Sequence, residues 1–258
     1  MEQNSNKLII HYKHNFRKLC LFALLCPLIC LVVCFVTGLL FQTDDVHETH
    51  CQVFNIIPSI SAITGISPQR YFWRMSVAVH IGPRFIIAAV YRAYQKNMID
   101  QSSQQHLKKA AEMWLDVAFW LNTIEAASLT GVTYISNREN YPIHEKMFIV
   151  FVLSSLCHML ANIYAIKKVA ASRNDLESVS EQVKYKKKLF LISILSTIGL
   201  VGFFLQHRLL CHRMAFSMFA LCEYIIATAN VYFHFTIIND FSAEDIIIAR
   251  ELPRNKIE

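Results

Sequence analysis

The chain has 258 residues, of which 54% are hydrophobic and 17% charged, with a mean hydropathy of +0.34; this is too apolar for disorder or for an ordinary soluble domain. Six Gly and six Pro are too few for a collagen-like repeat or a turn-rich barrel. The net charge of +6 gathers in short basic runs between apolar blocks, with no aromatic stripe among them, which argues for membrane topology over nucleic-acid binding.

In chain order, residues 1–18 form a polar N-terminal segment, and 19–41 contain no Asp, Glu, Lys or Arg. A bilayer core needs about 20 apolar helical residues, so this stretch spans. Its apolar core is longer than that of a signal peptide and no A-x-A-like site follows, so it reads as an uncleaved anchor. Residues 42–71 are a loop in which 53–66 run uncharged, as a lid facing lipid or as a packed cap. Residues 72–91 span while carrying Arg74 and Arg84, and 113–135 while carrying Asp116 and Glu125. After a loop at 136–146, residues 147–166 and 189–205 are charge-free spans. A loop at 206–213 leads to a sixth span, 214–238, with Glu223, and 239–258 form a tail. The expected fold is all-α: a polytopic bundle of six transmembrane helices over 19–238, without internal repeats or low-complexity segments.

Lys and Arg favour cytosolic loops. Eighteen of them, including Lys7, Lys13, Lys108, Lys186, Arg250, Arg254 and Lys256, fall on the side of both termini, against five in the opposite loops. Both termini are therefore expected in the cytosol, and loops 42–71, 136–146 and 206–213 in the lumen. Six of eight Cys lie within spans; Cys51 and Cys211 alone occupy loops, both lumenal, where disulfides form. A Cys51–Cys211 bridge is expected.

Ionisable groups within a bilayer are costly, about 3 kcal/mol at its centre on insertion scales, and mark function by default. His80 and Arg84 are four residues apart on one face, with Pro83 loosening the turn between them. Asn122 and Glu125 share a face, whereas Asp116 points elsewhere, towards headgroups. His158 aligns with Ser155 and Asn162. Glu223, Asn230 and His234 form one narrow stripe. His80, Arg84, Glu125, His158 and Glu223 share a depth between mid-bilayer and the lumenal half, with His234 nearer the cytosol. The catalytic candidates are those five, and Asn122, Asn162 and Asn230 are candidates for binding substrate. An Arg84 pair with Glu125 or Glu223 could equally pin helix register.

No P-loop, dinucleotide fingerprint, nucleophile elbow or H-E-x-x-H is present, nor a His-x4-Asp acyltransferase pair, and no cofactor is implied. His47, His50, His144, His207 and His212 fall in lumenal loops and read as solvated. His47-x-x-His50 lacks the further ligands a metal site needs.

Several runs occur together and in order: Cys26-Pro27-Leu28, Thr49-His50-Cys51, Pro58-Ser59-Ile60-Ser61, Pro68-Gln69-Arg70-Tyr71, His80 with Pro83-Arg84-Phe85, Leu121-Asn122 with Glu125, Ile143-His144-Glu145, Ser154-Ser155-Leu156 with His158, and Glu223-Tyr224 with Asn230 and His234. Over about residues 15–242 the chain closely resembles the post-GPI attachment to proteins factor 2 family, departing in 167–188, most of the fifth span and 243–258. The resemblance implies a six-helix Golgi membrane protein, and the endoplasmic reticulum membrane is a further candidate location. It implies a role in remodelling glycosylphosphatidylinositol (GPI) anchors: reacylation of lyso-GPI at the sn-2 position with a saturated chain.

The family leaves two roles open, the acyltransferase itself or an essential helper. For an enzyme, His80 or His158 would act as base on the 2-hydroxyl, Glu125 or Glu223 would orient that ring, and Arg84 would hold phosphate or a developing oxyanion. The implied partners are membrane lipids, lyso-GPI-anchored proteins and an acyl donor, either phospholipid or acyl-CoA. A lipid-binding chaperone would need the same cavity without a base, and a transporter or scramblase would need a polar path to the other face.

Overall fold

Each of the six expected spans falls mainly within one long helix of the computed structural model, which describes residues 8–100, 105–241 and 244–251; Lys7, Arg254 and Lys256 fall outside the described residues. The long helices are α1 (Phe16–Phe41), α4 (Gln69–Asp100), α5 (Gln105–Tyr134), α6 (Tyr141–Ser172), α7 (Ser180–Leu210) and α8 (Ala215–Phe235). Two short helices, α2 (Thr43–His47) and α3 (Ile60–Thr64), occupy the loop after α1. Helix suits these sequences because it satisfies every backbone polar group within the segment. Asn15 starts α1 by accepting from the Lys18 amide at 3.1 Å. Asn140 starts α6 by accepting from the Ile143 amide at 3.2 Å, with Pro142 in the first turn.

Among the described residues four helical segments are long and apolar enough to cross a membrane: Phe16–Phe41, Tyr141–Ser172, Ser180–Leu210 and Ala215–Asp240. The helices α4 and α5 are as long, at 32 and 30 residues, but carry the charged groups noted above. At the helical rise, α4 extends about 48 Å, well beyond a bilayer core. Helix α1 packs on α4, α4 on α5, α5 along α6, and α7 on α8, while α8 closes back on α1 more lightly. One face of α7, with Leu191, Leu195 and Ile198, is exposed, as befits a lipid-facing helix.

The segments flanking the bundle come together as a two-stranded ladder. Strands β1 (Leu8–Asn15) and β2 (Asp245–Glu251) pair antiparallel, Leu8 opposite Glu251 and Asn15 opposite Asp245, with one irregularity between Ile10 and Tyr12. Lys13 meets Asp245 at 2.9 Å, and the Phe16 amide donates to the Glu244 carbonyl at 3.1 Å. Beneath this ladder a 3-10 turn, Thr236–Asp240, delivers Phe241 edge-on to Phe16, ring centroids 4.5 Å apart, into a cluster with Tyr91 and Ile238. The two ends of the described chain therefore lie together at one end of the bundle.

At the other end, Ile63 of α3 is fully buried against Cys34 and Val46, so the uncharged stretch 53–66 caps the bundle, with Phe54 and Ile56 exposed. His47 ties the cap by bonding the Thr43 carbonyl at 2.7 Å and that of Ile56 at 2.9 Å. Cys51 and Cys211 are joined by a disulfide, with Cα atoms 5.5 Å apart. Arg138 meets Glu48 at 2.7 Å. Glu139 accepts from the Ser136 amide and from Arg74, which together hold its carboxyl down to about 2. Two loop histidines depart from the solvated expectation: His144 and His207 are only 7% and 3% exposed. The first lies within α6, which begins earlier than hydropathy suggests.

Candidate functional site

The polar stripes of α4, α5, α6 and α8 converge on one buried ion pair. Arg84 Nη2 donates to Glu125 Oε1 at 2.5 Å and approaches Asn122 Oδ1 at 3.3 Å. Glu125 is wholly buried, and neutralisation by Arg84 is what permits a carboxylate there. The same Oε1 accepts from Asn230 Nδ2 at 2.8 Å, and that amide also donates to Ser155 Oγ at 2.7 Å. The oxygen Oε2 has no protein partner.

His234 joins this centre, although its place along the sixth span suggests a depth nearer the cytosol. Its Nε2 lies 3.0 Å from Arg84 Nη2 and 3.1 Å from Glu125 Oε1. The ring accepts from arginine when that nitrogen is bare and donates to glutamate when it is protonated. His158 stacks on His234, centroids 5.3 Å apart and 9° from parallel, and its Nδ1 donates to the Ala118 carbonyl at 3.0 Å. His80 Nδ1 donates to the Ala23 carbonyl at 2.5 Å. Carbonyls only accept, so both rings carry the proton on Nδ1 when neutral and keep Nε2 as a base.

Of the sequence candidates, His80, Arg84, Glu125, Asn122, His158 and Asn230 come together around this pair, and two do not join it directly. Glu223 accepts from the Ile60 amide at 2.8 Å, so Arg84 takes Glu125 as its carboxylate. Asn162 accepts instead from Lys186 Nζ at 2.7 Å, because a fully buried ammonium demands an oxygen. Asp116 stands apart, as expected, paired with Arg92 at 2.7 Å and Lys96 at 3.2 Å.

A cavity of about 140 Å³ opens beside the centre. His80, Arg84, Asn230 and His234 form one end and Ser61, His144 and Glu223 the other, and Pro27, Leu28, Leu31, Phe148 and Phe151 supply apolar wall. His158 and Glu125 lie behind this lining. A pocket of about 30 Å³ beneath His80, Arg84, Asn122 and His234 has room for one water. Glu125, His158 and His234 present ligand atoms within 4.8 Å of one another, a set a divalent ion could use. Arg84 already bonds two of those three groups, so a cation there would first have to displace a guanidinium.

Fold and site together define a multi-pass helical membrane protein with a polar centre and cavity buried between its helices. The model of the Frag1/DRAM/Sfk1/Cwh43P N-terminal domain matches residues 15–244. The chain is 52% identical to the Drosophila melanogaster protein named post-GPI attachment to proteins factor 2-like, over 99% of this chain and 78% of that one. It is 33% identical to the Xenopus tropicalis protein named acyltransferase PGAP2, over 86% of each, and 31% identical to post-GPI attachment to proteins factor 2 of Drosophila pseudoobscura pseudoobscura, over 92% and 90%. The chain belongs to the post-GPI attachment to proteins factor 2 family. No solved structure matches it.

Proposed function

We propose that this protein acts in GPI-anchor remodelling in the Golgi membrane, where it reacylates lyso-GPI at the sn-2 position with a saturated chain. The cavity carries this reading. Its apolar wall fits an acyl chain, and its polar end offers Arg84 for phosphate and His80 for a hydroxyl. His80 is the better base of the two first considered, because its ring lines the cavity and that of His158 does not. Two relatives are named as acyltransferases, and others as post-GPI attachment factors.

The proposed topology has six crossings, both termini in the cytosol and loops 42–71, 136–146 and 206–213 in the lumen. The β1–β2 ladder supports it, since an even number of crossings returns the chain to its starting side. The disulfide supports it too, lying at the opposite end where thiols oxidise. That orientation turns the α3 end of the cavity towards the GPI headgroup. Cells lacking the protein should accumulate lyso-GPI-anchored proteins, and re-expression of wild type, but not His80→Ala, should restore the saturated sn-2 chain. An unchanged GPI lipid profile in deficient cells would remove the reading.

One observation favours lipid transport as a second reading: a further hollow of about 570 Å³ at the end carrying both strands, lined by Gln95, Arg173, Gln182, Thr236 and Asp240. A transporter would move labelled lipid across liposomes without any acyl donor.

A further inference from the structure

At the end of the cavity away from Arg84, α3 and the first turn of α6 bring a hydroxyl and an imidazole together. Ser61 Oγ lies 2.8 Å from His144 Nε2, and His144 Nδ1 lies 2.7 Å from the Ile135 carbonyl. That carbonyl can only accept, so Nδ1 holds the proton, and in the neutral ring a bare Nε2 accepts from the Ser61 hydroxyl. Ser61 is half-buried and His144 buried, and both line the cavity. The segment bearing the serine is fixed from several sides. Ser59 accepts from the Ala62 amide at 3.1 Å, Thr64 donates to the Ile60 carbonyl at 2.7 Å, and Glu223 accepts from the Ile60 amide. A hydroxyl on an imidazole, itself oriented by a third group and facing an apolar-walled cavity, is the arrangement of an activated nucleophile.

We propose that Ser61 is an acyl-carrying nucleophile with His144 as its base, so that acyl transfer proceeds by two displacements through a covalent ester. This rests on the acyl-transfer reading above. In the first step the Ser61 hydroxyl proton passes to His144 Nε2 as Oγ attacks the carbonyl carbon of an acyl ester or thioester. The bond from that carbon to the donor's oxygen or sulfur breaks, and His144 gives its proton to the leaving alkoxide or thiolate. In the second step the lyso-lipid 2-hydroxyl, which His80 holds by a hydrogen bond, loses its proton to His144 in place of His80 and attacks the Ser61 ester. The new ester forms, the Ser61 bond breaks, and the proton returns to Oγ. No oxidant, reductant or metal is required. Glu223 is a positioning residue, holding the residue before the nucleophile.

The full chain in liposomes would be incubated without acceptor, in separate arms, with stearoyl-labelled phosphatidylcholine or stearoyl-labelled CoA, then quenched in acid and mapped by mass. The proposal expects label on the Ser61 peptide in at least one arm, released when lyso-GPI is added. Ser61→Ala should abolish the label and slow transfer about 100-fold or more, and His144→Ala should slow both labelling and transfer by a similar factor. Ser61→Cys should carry the label as a thioester cleaved by neutral hydroxylamine. Transfer by wild type with no Ser61 adduct, or Ser61→Ala transferring within threefold of wild type, would overturn the dyad. The wild-type adduct decides this even if a variant fails to fold. Label on Ser61 that lyso-GPI does not discharge would support the nucleophile and overturn the acceptor assigned above, whereas absence of both label and transfer would overturn both.

Discussion

Lys186 Nζ sits 2.7 Å from the Asn162 side-chain oxygen and 4.4 Å above the centre of the Phe233 ring, with no part of the lysine exposed. The two residues come from α6 and α7, so one hydrogen bond and one ring face hold an ammonium between helices. Removing the oxygen should therefore harm more than removing the charge. Asn162→Leu is expected to lower stability by about 2–3 kcal/mol, and Lys186→Met, which keeps the stem and discards the ammonium, by far less. Melting of both variants in detergent checks this; a larger loss for Lys186→Met would contradict it.

The Arg84–Glu125 pair yields a second asymmetry. Either single change to Leu leaves an uncompensated buried charge and should cost ~3 kcal/mol or more, and the double change should recover much of that stability. Function should not return with it, because Arg84 faces the cavity. The double variant should reach the Golgi folded and leave lyso-GPI unremodelled. Restored remodelling would reduce the pair to a pin between helices.

Cys51→Ser and Cys211→Ser should each abolish one and the same non-reducing gel shift, since the two sulfurs form a single bridge. A free thiol at either position in the protein isolated from cells would exclude it.

Tags on both termini should be reached by antibody when only the plasma membrane is permeabilised. Ile10→Cys with Ala249→Cys, opposite one another in the ladder, should cross-link intramolecularly under mild oxidation. A protected terminus would refute six crossings, and an absent cross-link the register.

Hydropathy located every long helix, because a charge-poor stretch of about 20 residues has few other fates. Spacing at 100° per residue then brought His80, Arg84, Asn122, Glu125, His158 and Asn230 to one side of their helices. Depth was less legible. His234 reaches the centre although its position along α8 suggests a depth nearer the cytosol. Lys186 was counted with a solvated basic run, since composition does not reveal that its stem turns inward. His144 could have been found: Asn140-Tyr141-Pro142 is a helix start, and it places the histidine within the first turns of α6. The β1–β2 ladder was hard to read from sequence, because each strand's partner lies more than two hundred residues away.

That ladder has a consequence for how the molecule is made. Its second strand follows every helix in the chain, so β1 must wait unpaired until all of them have been made. One hairpin left outside the membrane still returns β2 to the correct side, but one misdirected helix strands it across the bilayer from β1. Under the proposed topology, closure of the clasp thus reports that the count of crossings came out even, and an unpaired β1 edge would advertise to quality control a chain that was threaded wrongly.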